Sequence, residues 1–337
     1  MIKLLLKLTV YLALLGGAVV IALGGSFAIY GWSKGYSVSS AISYLLTADE
    51  LAESNLKVEQ ISWSRVSWAG HIQNKRLSES SGLASSNRYD QVLWSMNDSG
   101  NAPELFALNT QGDDLGTWTL EETVQSDWEA LSDFVLDGQP YLLIADVGDN
   151  FRWKPVHSLI VVKEPDVGQP EERTISEEWR IDFSYPDGVF RDCEAVAVDQ
   201  SRDRVLLLTK RVHPPELYSL PLKASSSAVA QKISDLFHLP RATHADVKEE
   251  SGIGKYRRMV TGMDVSEDDL LLTTYQDLYL YKLSRLEEAP AVVRMPLTGQ
   301  REAVAFDRSS SLTAYVTNER RDGVGAADLF KIELPEF

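Results

Sequence analysis

The sequence predicts an all-β fold: a β-propeller of five four-stranded blades, closed by an N-terminal strand and preceded by one transmembrane helix. Three observations carry that prediction. A short motif recurs five times along the chain, two further strand patterns follow each copy in the same order, and an uncharged run of 22 residues lies near the start.

The recurring starts are Glu79-Ser80-Ser81-Gly82-Leu83-Ala84, Asp127-Trp128-Glu129-Ala130-Leu131-Ser132, Asp192-Cys193-Glu194-Ala195-Val196-Ala197, Met259-Val260-Thr261-Gly262-Met263-Asp264 and Gln300-Arg301-Glu302-Ala303-Val304-Ala305. Their fourth residue is always Gly or Ala, as expected where strands converge and a larger side chain would collide. An apolar second strand follows at 92–98, 141–147, 205–211, 270–276 and 313–319. A third then repeats a polar-Leu-apolar pattern: Glu104-Leu105-Phe106, Ser158-Leu159-Ile160, Glu216-Leu217-Tyr218, Asp277-Leu278-Tyr279 and Asp328-Leu329-Phe330. Fourth strands fit at 116–121, 179–183, 233–239 and 291–297, and the last blade runs out of chain. Residues 57–72, with Val58, Ile61, Trp63, Val66 and Trp68, are its substitute, and a ring closed in this way leaves no open sheet edge. A sixth blade arises if 223–258 holds a degenerate unit, and a β-sandwich with coincidental repetition is the competing architecture.

Residues 9–30 carry no charge and are long enough to cross a hydrocarbon core of ~30 Å as a helix. Lys3 and Lys7 precede the run and only Lys34 follows closely, which favours a cytoplasmic N-terminus. We therefore expect a signal anchor over 1–34, a juxtamembrane helix or spacer over 35–56, and the propeller over 57–337, with a cleaved signal peptide as the alternative for the first segment. The chain has 33 Lys and Arg against 49 Asp and Glu, a formal charge of -16, which would repel a phosphate backbone and excludes nucleic acid as a partner. Its single cysteine, Cys193, cannot form an internal disulfide. Together these features predict a bacterial inner-membrane protein of one pass, with an acidic propeller in the periplasm or outside the cell.

In a propeller the first strand of each blade lines the central channel, so Ser81, Glu129, Glu194, Thr261 and Glu302 should form a ring. Strand alternation puts Asp127 and Asp192 on the same face as Glu129 and Glu194, with Trp128 and Cys193 opposite. A second tier aligns Asn97, Asp146, Lys210, Tyr275 and Asn318 at the ends of the second strands. Carboxylates crowded in a partly dry funnel repel one another, and a cation relieves that repulsion. Calcium suits, since it takes six to eight hard oxygen ligands, and Glu129, Glu194, Glu302, Asn97, Asp146 and Asn318 offer them. Asp98, Asp127, Asp149, Asn150 and Asp192 form a second set of candidates. The five histidines share no repeat position, which disfavours zinc. The competing reading is that these acids cap turns, accept backbone hydrogen bonds, or pair with Lys210 and arginines. Lys210, Arg211 and His213, together at one strand end, are the catalytic candidates, as a basic patch able to hold a phosphate or carboxylate ester. No serine-hydrolase elbow or phosphate-binding loop is present.

Ser81-Gly82-Leu83-Ala84, Asn97-Asp98-Ser99-Gly100, Asp127-Trp128-Glu129, Asp146-Val147-Gly148-Asp149-Asn150 and Asp192-Cys193-Glu194-Ala195 resemble a group of bacterial secreted or membrane-anchored propellers of the phytase-like and esterase-like kind. The resemblance covers about residues 75–200. More remotely, the Glu-bearing first strands look like the gluconolactonase, paraoxonase and strictosidine synthase propellers. These resemblances imply calcium in the channel and hydrolysis of a small ester or phosphoester at its mouth. This chain departs from the remoter group in blade count and in having Ser81 and Thr261 in the ring. The alternative function is a non-catalytic envelope module that binds a protein, peptide or glycan.

Overall fold

The computed structural model describes residues 65–336 except 124, 170–172, 224–226, 250–253, 297–298 and 320–326, together with 51–53 and isolated positions between 25 and 46. The uncharged run 9–30 lies almost wholly outside these residues, and so does 57–64. Among the described residues no helix is long and apolar enough to cross a membrane, so the expected transmembrane helix has no structural support.

Two compact units are present, the smaller comprising 1–48 with 151–155 and the larger 49–150 with 156–337. In the smaller unit the Ser37 N–H donates to the Trp153 carbonyl at 3.0 Å, and the rings of Tyr36 and Trp153 pack 5.3 Å apart.

The larger unit is a five-bladed propeller. Its innermost strands are β2 (Ser80–Ser85), β6 (Trp128–Leu136), β11 (Cys193–Asp199), β16 (Val260–Ser266) and β20 (Arg301–Asp307). Each leads an antiparallel meander. Blade one continues through β3 (Val92–Asn97), β4 (Glu104–Asn109) and β5 (Asp114–Leu120), and blade two through β7 (Gln139–Asp146), β8 (His157–Lys163) and β10 (Glu177–Ser184). Blade three adds β12 (Arg204–Thr209), β13 (Glu216–Pro221) and β15 (Gln231–Asp235); blade four adds β17 (Asp269–Thr274), β18 (Asp277–Lys282) and β19 (Ala291–Arg294). The last blade holds β21 (Ser310–Asn318) and β22 (Asp328–Glu333), and β1 (Val66–His71) is its outer strand, as the sequence predicts.

Two details differ from expectation. Segment 223–258 contains no sixth blade; its described residues form β14 (Ala228–Val229), β15 and a short helix, His244–Glu249. The first two blades also gain a fifth strand. β9 (Thr174–Ile175) runs parallel to β5, and β14 runs parallel to β10, so a segment from each following blade laces onto the outer edge of the one before.

No single central core exists. Apolar side chains gather in five clusters, each between consecutive blades, and the cluster joining Leu83, Leu93 and Phe106 to Ala305, Tyr315 and Leu329 closes the ring from last blade to first. Each sheet therefore buries both faces, and β2, β3 and β11 are buried at every residue. Innermost strands touch their neighbours in cyclic order. The invariant small residue is what permits that approach: a Cβ added to Gly82 would lie 2.7 Å from the Leu131 backbone nitrogen, and one on Gly262 2.7 Å from the Glu302 carbonyl.

One end of the channel is tied shut by Arg308. Its guanidinium donates to both Asp133 oxygens at 2.6 and 2.7 Å and reaches both Asp264 oxygens at 3.1 Å. The same acids accept backbone N–H groups of Ser85 and Phe306 from two further blades. Burial raises the Asp264 pKa to about 6, with Arg308 opposing the rise. Removing one partner from a buried network leaves the others charged and unpaired, so Arg308→Met is expected to lower unfolding free energy by about 3 kcal/mol or more, read from urea denaturation. A loss below about 1 kcal/mol would mean that the clamp is a solvated rim pair.

Candidate functional site

The other end of the channel opens into a cavity of about 300 Å³ lined by Ser81, Glu129, Glu194 and Glu302 from the innermost strands. The means of bringing them together is a repeated β-bulge. Strand register slips between Ser80 and Gly82, Trp128 and Ala130, Cys193 and Ala195, Val260 and Gly262, and Arg301 and Ala303. The residue skipped each time is the third of the sequence motif. A bulge leaves its extra residue outside the ladder and re-aims the side chain, and here five bulges occur on one circle. Where that residue is a hydroxyl it ties blades together: Ser81 donates to the Glu129 carbonyl at 3.2 Å, and Thr261 to the Arg301 carbonyl at 2.7 Å. Where it is Glu, a carboxyl enters the mouth. Thr261 is buried and does not line the cavity.

Asp98 and Glu319 add two more acids to the lining. Glu319 was not a sequence candidate, although it occupies the same repeat position as Asp98 and Arg211, one residue beyond the second-strand tier. The densest acidic point is the group Asp98, Asp127 and Glu129, with one carboxylate oxygen from each all within 4.8 Å of one another. Gly148 lies directly against it. A Cβ there would sit 2.3 Å from Glu129 Oε1 and 2.7 Å from Asp127 Oδ2, so the loop after β7 cradles these carboxylates only because it carries no side chain.

Burial, then repulsion from Glu194, holds the Glu129 carboxyl well above its ordinary range. Burial raises Glu194 and Glu302 to about 8, with Lys210 pulling each down, and raises Glu319 to about 8 with help from Asp98. Lys210 is 7 % exposed and its ammonium contacts the Glu194 carboxylate. Burial works against its charge, but Glu194, Tyr275 and Glu302 outweigh that and hold it above its usual value. Tyr275 also hydrogen-bonds Glu302.

Other sequence candidates do different work. Asn97 accepts the N–H groups of Ser78 and Glu79 at 3.0 Å and donates to the Arg76 carbonyl. Asp146 accepts the Asp127 N–H at 3.1 Å, and Asn318 the Asp328 N–H at 2.6 Å. These three side chains hold loop backbone at the strand ends and are not brought into the cavity lining. Asp192 is fully buried, accepting the Asp149 N–H at 2.9 Å and Arg211 Nε at 2.6 Å. Arg211 and Asn150 do line the mouth and contact each other. His213 is separated from the acids, in a smaller cavity beside Arg241 and Lys255, where burial and then Arg241 lower it to about 4. Cys193 is buried with its pKa pushed up to about 12, and it packs between blades two and three as expected.

No protein-family model and no curated protein sequence matches the chain. Solved structures resemble it at low identity. A nidogen/laminin complex aligns at 12% identity over 72% of this chain and 73% of that one, with a TM-score of 0.40. The Cps50 (Swd1) β-propeller domain of Myceliophteria thermophila aligns at 12% identity over 82% and 70%, with a TM-score of 0.39. The major allergen Mala s 1 of Malassezia sympodialis aligns at 11% identity over 79% and 95%, with a TM-score of 0.48. At such scores nothing about activity or partners follows, and the architecture of this chain rests on its own five sheets.

Proposed function

We propose that this chain is an exported propeller, tethered to a bacterial inner membrane by residues 9–30, that holds a calcium-type cation at its channel mouth and hydrolyses a small ester or phosphoester there. The observation that carries the reading is the meeting of Asp98, Asp127 and Glu129 over Gly148, in a mouth where Glu194, Glu302 and Glu319 add further buried acid. The donors are all hard oxygens, and no described residue of the mouth is a histidine or cysteine, which suits calcium and not zinc. A bound divalent ion supplies Lewis acidity towards a carbonyl or phosphoryl oxygen. The chain supplies the rest: Asp98, Asp127 and Glu129 as ligands, Arg211 as a positive rim, and Glu302, hydrogen-bonded to Tyr275, as a carboxyl that retains its proton near neutral pH.

One observation favours the alternative of a non-catalytic envelope module. Lys210 and Arg211 are already engaged by Glu194 and Asp192, and His213 belongs to another cavity, so the basic patch read from the sequence is spent on internal pairs.

Calcium at about a hundredfold excess over Kd should stabilise the protein by about 2.7 kcal/mol, roughly 5 °C in melting temperature. Glu129→Gln and Gly148→Ala should each remove most of that gain, and an unchanged melting temperature in the wild type would end the cation reading. A pH series without divalent ions gives a second check. Glu194, Glu302 and Glu319 have folded pKa values of about 8, above the ordinary 4.5, so the folded state binds more protons in that interval. Their contribution is complete below about pH 4.5 and is lost as pH rises through about 8, so the melting temperature should fall across that window and calcium should flatten the fall. On a panel of small esters and phosphoesters, calcium-dependent turnover that drops at least 100-fold in Glu129→Gln supports hydrolysis. Calcium binding with no turnover selects the envelope module.

A further inference from the structure

The acids of the mouth fall into two groups. On the side of blades one and two, Asp98, Asp127 and Glu129 gather over Gly148. On the side of blades three to five, Glu194 and Glu302 face Lys210 and Tyr275. Lys210 comes from the loop directly after β12, its N–H held by the Asp192 carbonyl at 3.0 Å, and its side chain is only 6 % exposed. Its ammonium contacts Glu194, lies 3.5 Å from the Tyr275 hydroxyl, and sits 5.7 Å from the centre of that ring. The neighbouring Arg211 turns the other way, to Asp192 and Asn150, with its guanidinium 5.4 Å from the Tyr256 ring.

We propose that Lys210 is a resident cation, fixed to the chain, that fills the blade-three-to-five half of the mouth and confines an exchangeable divalent ion to the Asp98–Asp127–Glu129 half. The inference builds on the cation reading above and concerns stoichiometry and placement. A lysine ammonium is a compact point charge with three donors, able to serve Glu194 and Tyr275 together where an exchangeable ion would otherwise be drawn. Its attraction also reaches Glu129, Glu302 and Glu319, so it is the counter-charge shared by the whole mouth. The consequence is selectivity by occupancy. One half of the mouth presents unneutralised carboxylates to solvent ions, and the other is already satisfied from within.

The test is calorimetric titration of chelator-treated, full-length protein with calcium chloride, comparing wild type, Lys210→Met and Lys210→Arg. One ion per chain is expected for wild type and Lys210→Arg, and two for Lys210→Met. A single ion bound at least threefold more tightly by Lys210→Met also supports the proposal, because a competing charge has been removed. One ion with affinity within threefold of wild type overturns it and reduces Lys210 to an ordinary buried pair. No ion in wild type but one in Lys210→Met ends the calcium reading of the native mouth and leaves Lys210 as its resident cation; no ion in either ends both. If Lys210→Met does not fold without metal, recovery of a cooperative melt with calcium chloride, but not with sodium chloride of equal ionic strength, supports the proposal, and no recovery overturns it.

Discussion

The structure depends on one backbone irregularity repeated around a circle. Each innermost strand carries a bulge at the third residue of its motif, and the Gly or Ala that follows lets the next blade close against it. Without the bulge, strict alternation would put Glu129 in register with its flanking strand residues and commit its side chain to a sheet face. With it, Glu129, Glu194 and Glu302, far apart in the chain, enter one cavity. The same position filled by Ser81 or Thr261 stitches neighbouring strands through a hydroxyl. One geometric device therefore yields either an inter-blade tie or a channel acid, according to the residue placed there.

Charge is managed differently at the two ends of the channel. At one end Arg308 joins Asp133 and Asp264 and two further blades donate backbone N–H groups, so the buried acids there are matched by donors within the fold. At the other end five acids line the cavity against Lys210 and Arg211, and Arg211 is engaged by Asp192. That imbalance costs stability and is what an anionic site looks like before it meets a cation. The asymmetry also gives the propeller a single functional face, the one where the innermost strands begin.

Much of this was legible in the sequence because it depends on repetition. Five motif copies gave the blade number, the alternating Gly or Ala gave the crowded axis, and Val66 with Trp68 marked the closing strand. The ring of Ser81, Glu129, Glu194 and Glu302 followed from the same alignment. What failed was the use of period-two alternation across the bulge, since a one-residue slip is invisible to a hydrophobic pattern. The second-strand tier failed for another reason. Asn97, Asp146 and Asn318 share a repeat position with Lys210 and Tyr275, but short side chains there bond the adjacent loop while longer ones reach the cavity. Glu319 was missed because its position was read as the end of a strand. The lacing strands β9 and β14 are two residues each, too short to leave any periodic signal.

The most direct measurement is anomalous diffraction from crystals grown with a trivalent lanthanide as a calcium substitute. The account requires a peak coordinated by Asp98, Asp127 and Glu129 beside Gly148, with Glu194 still bound to the Lys210 ammonium. Absence of any peak at that point, or glutamates turned out of the channel to separate surfaces, would contradict it.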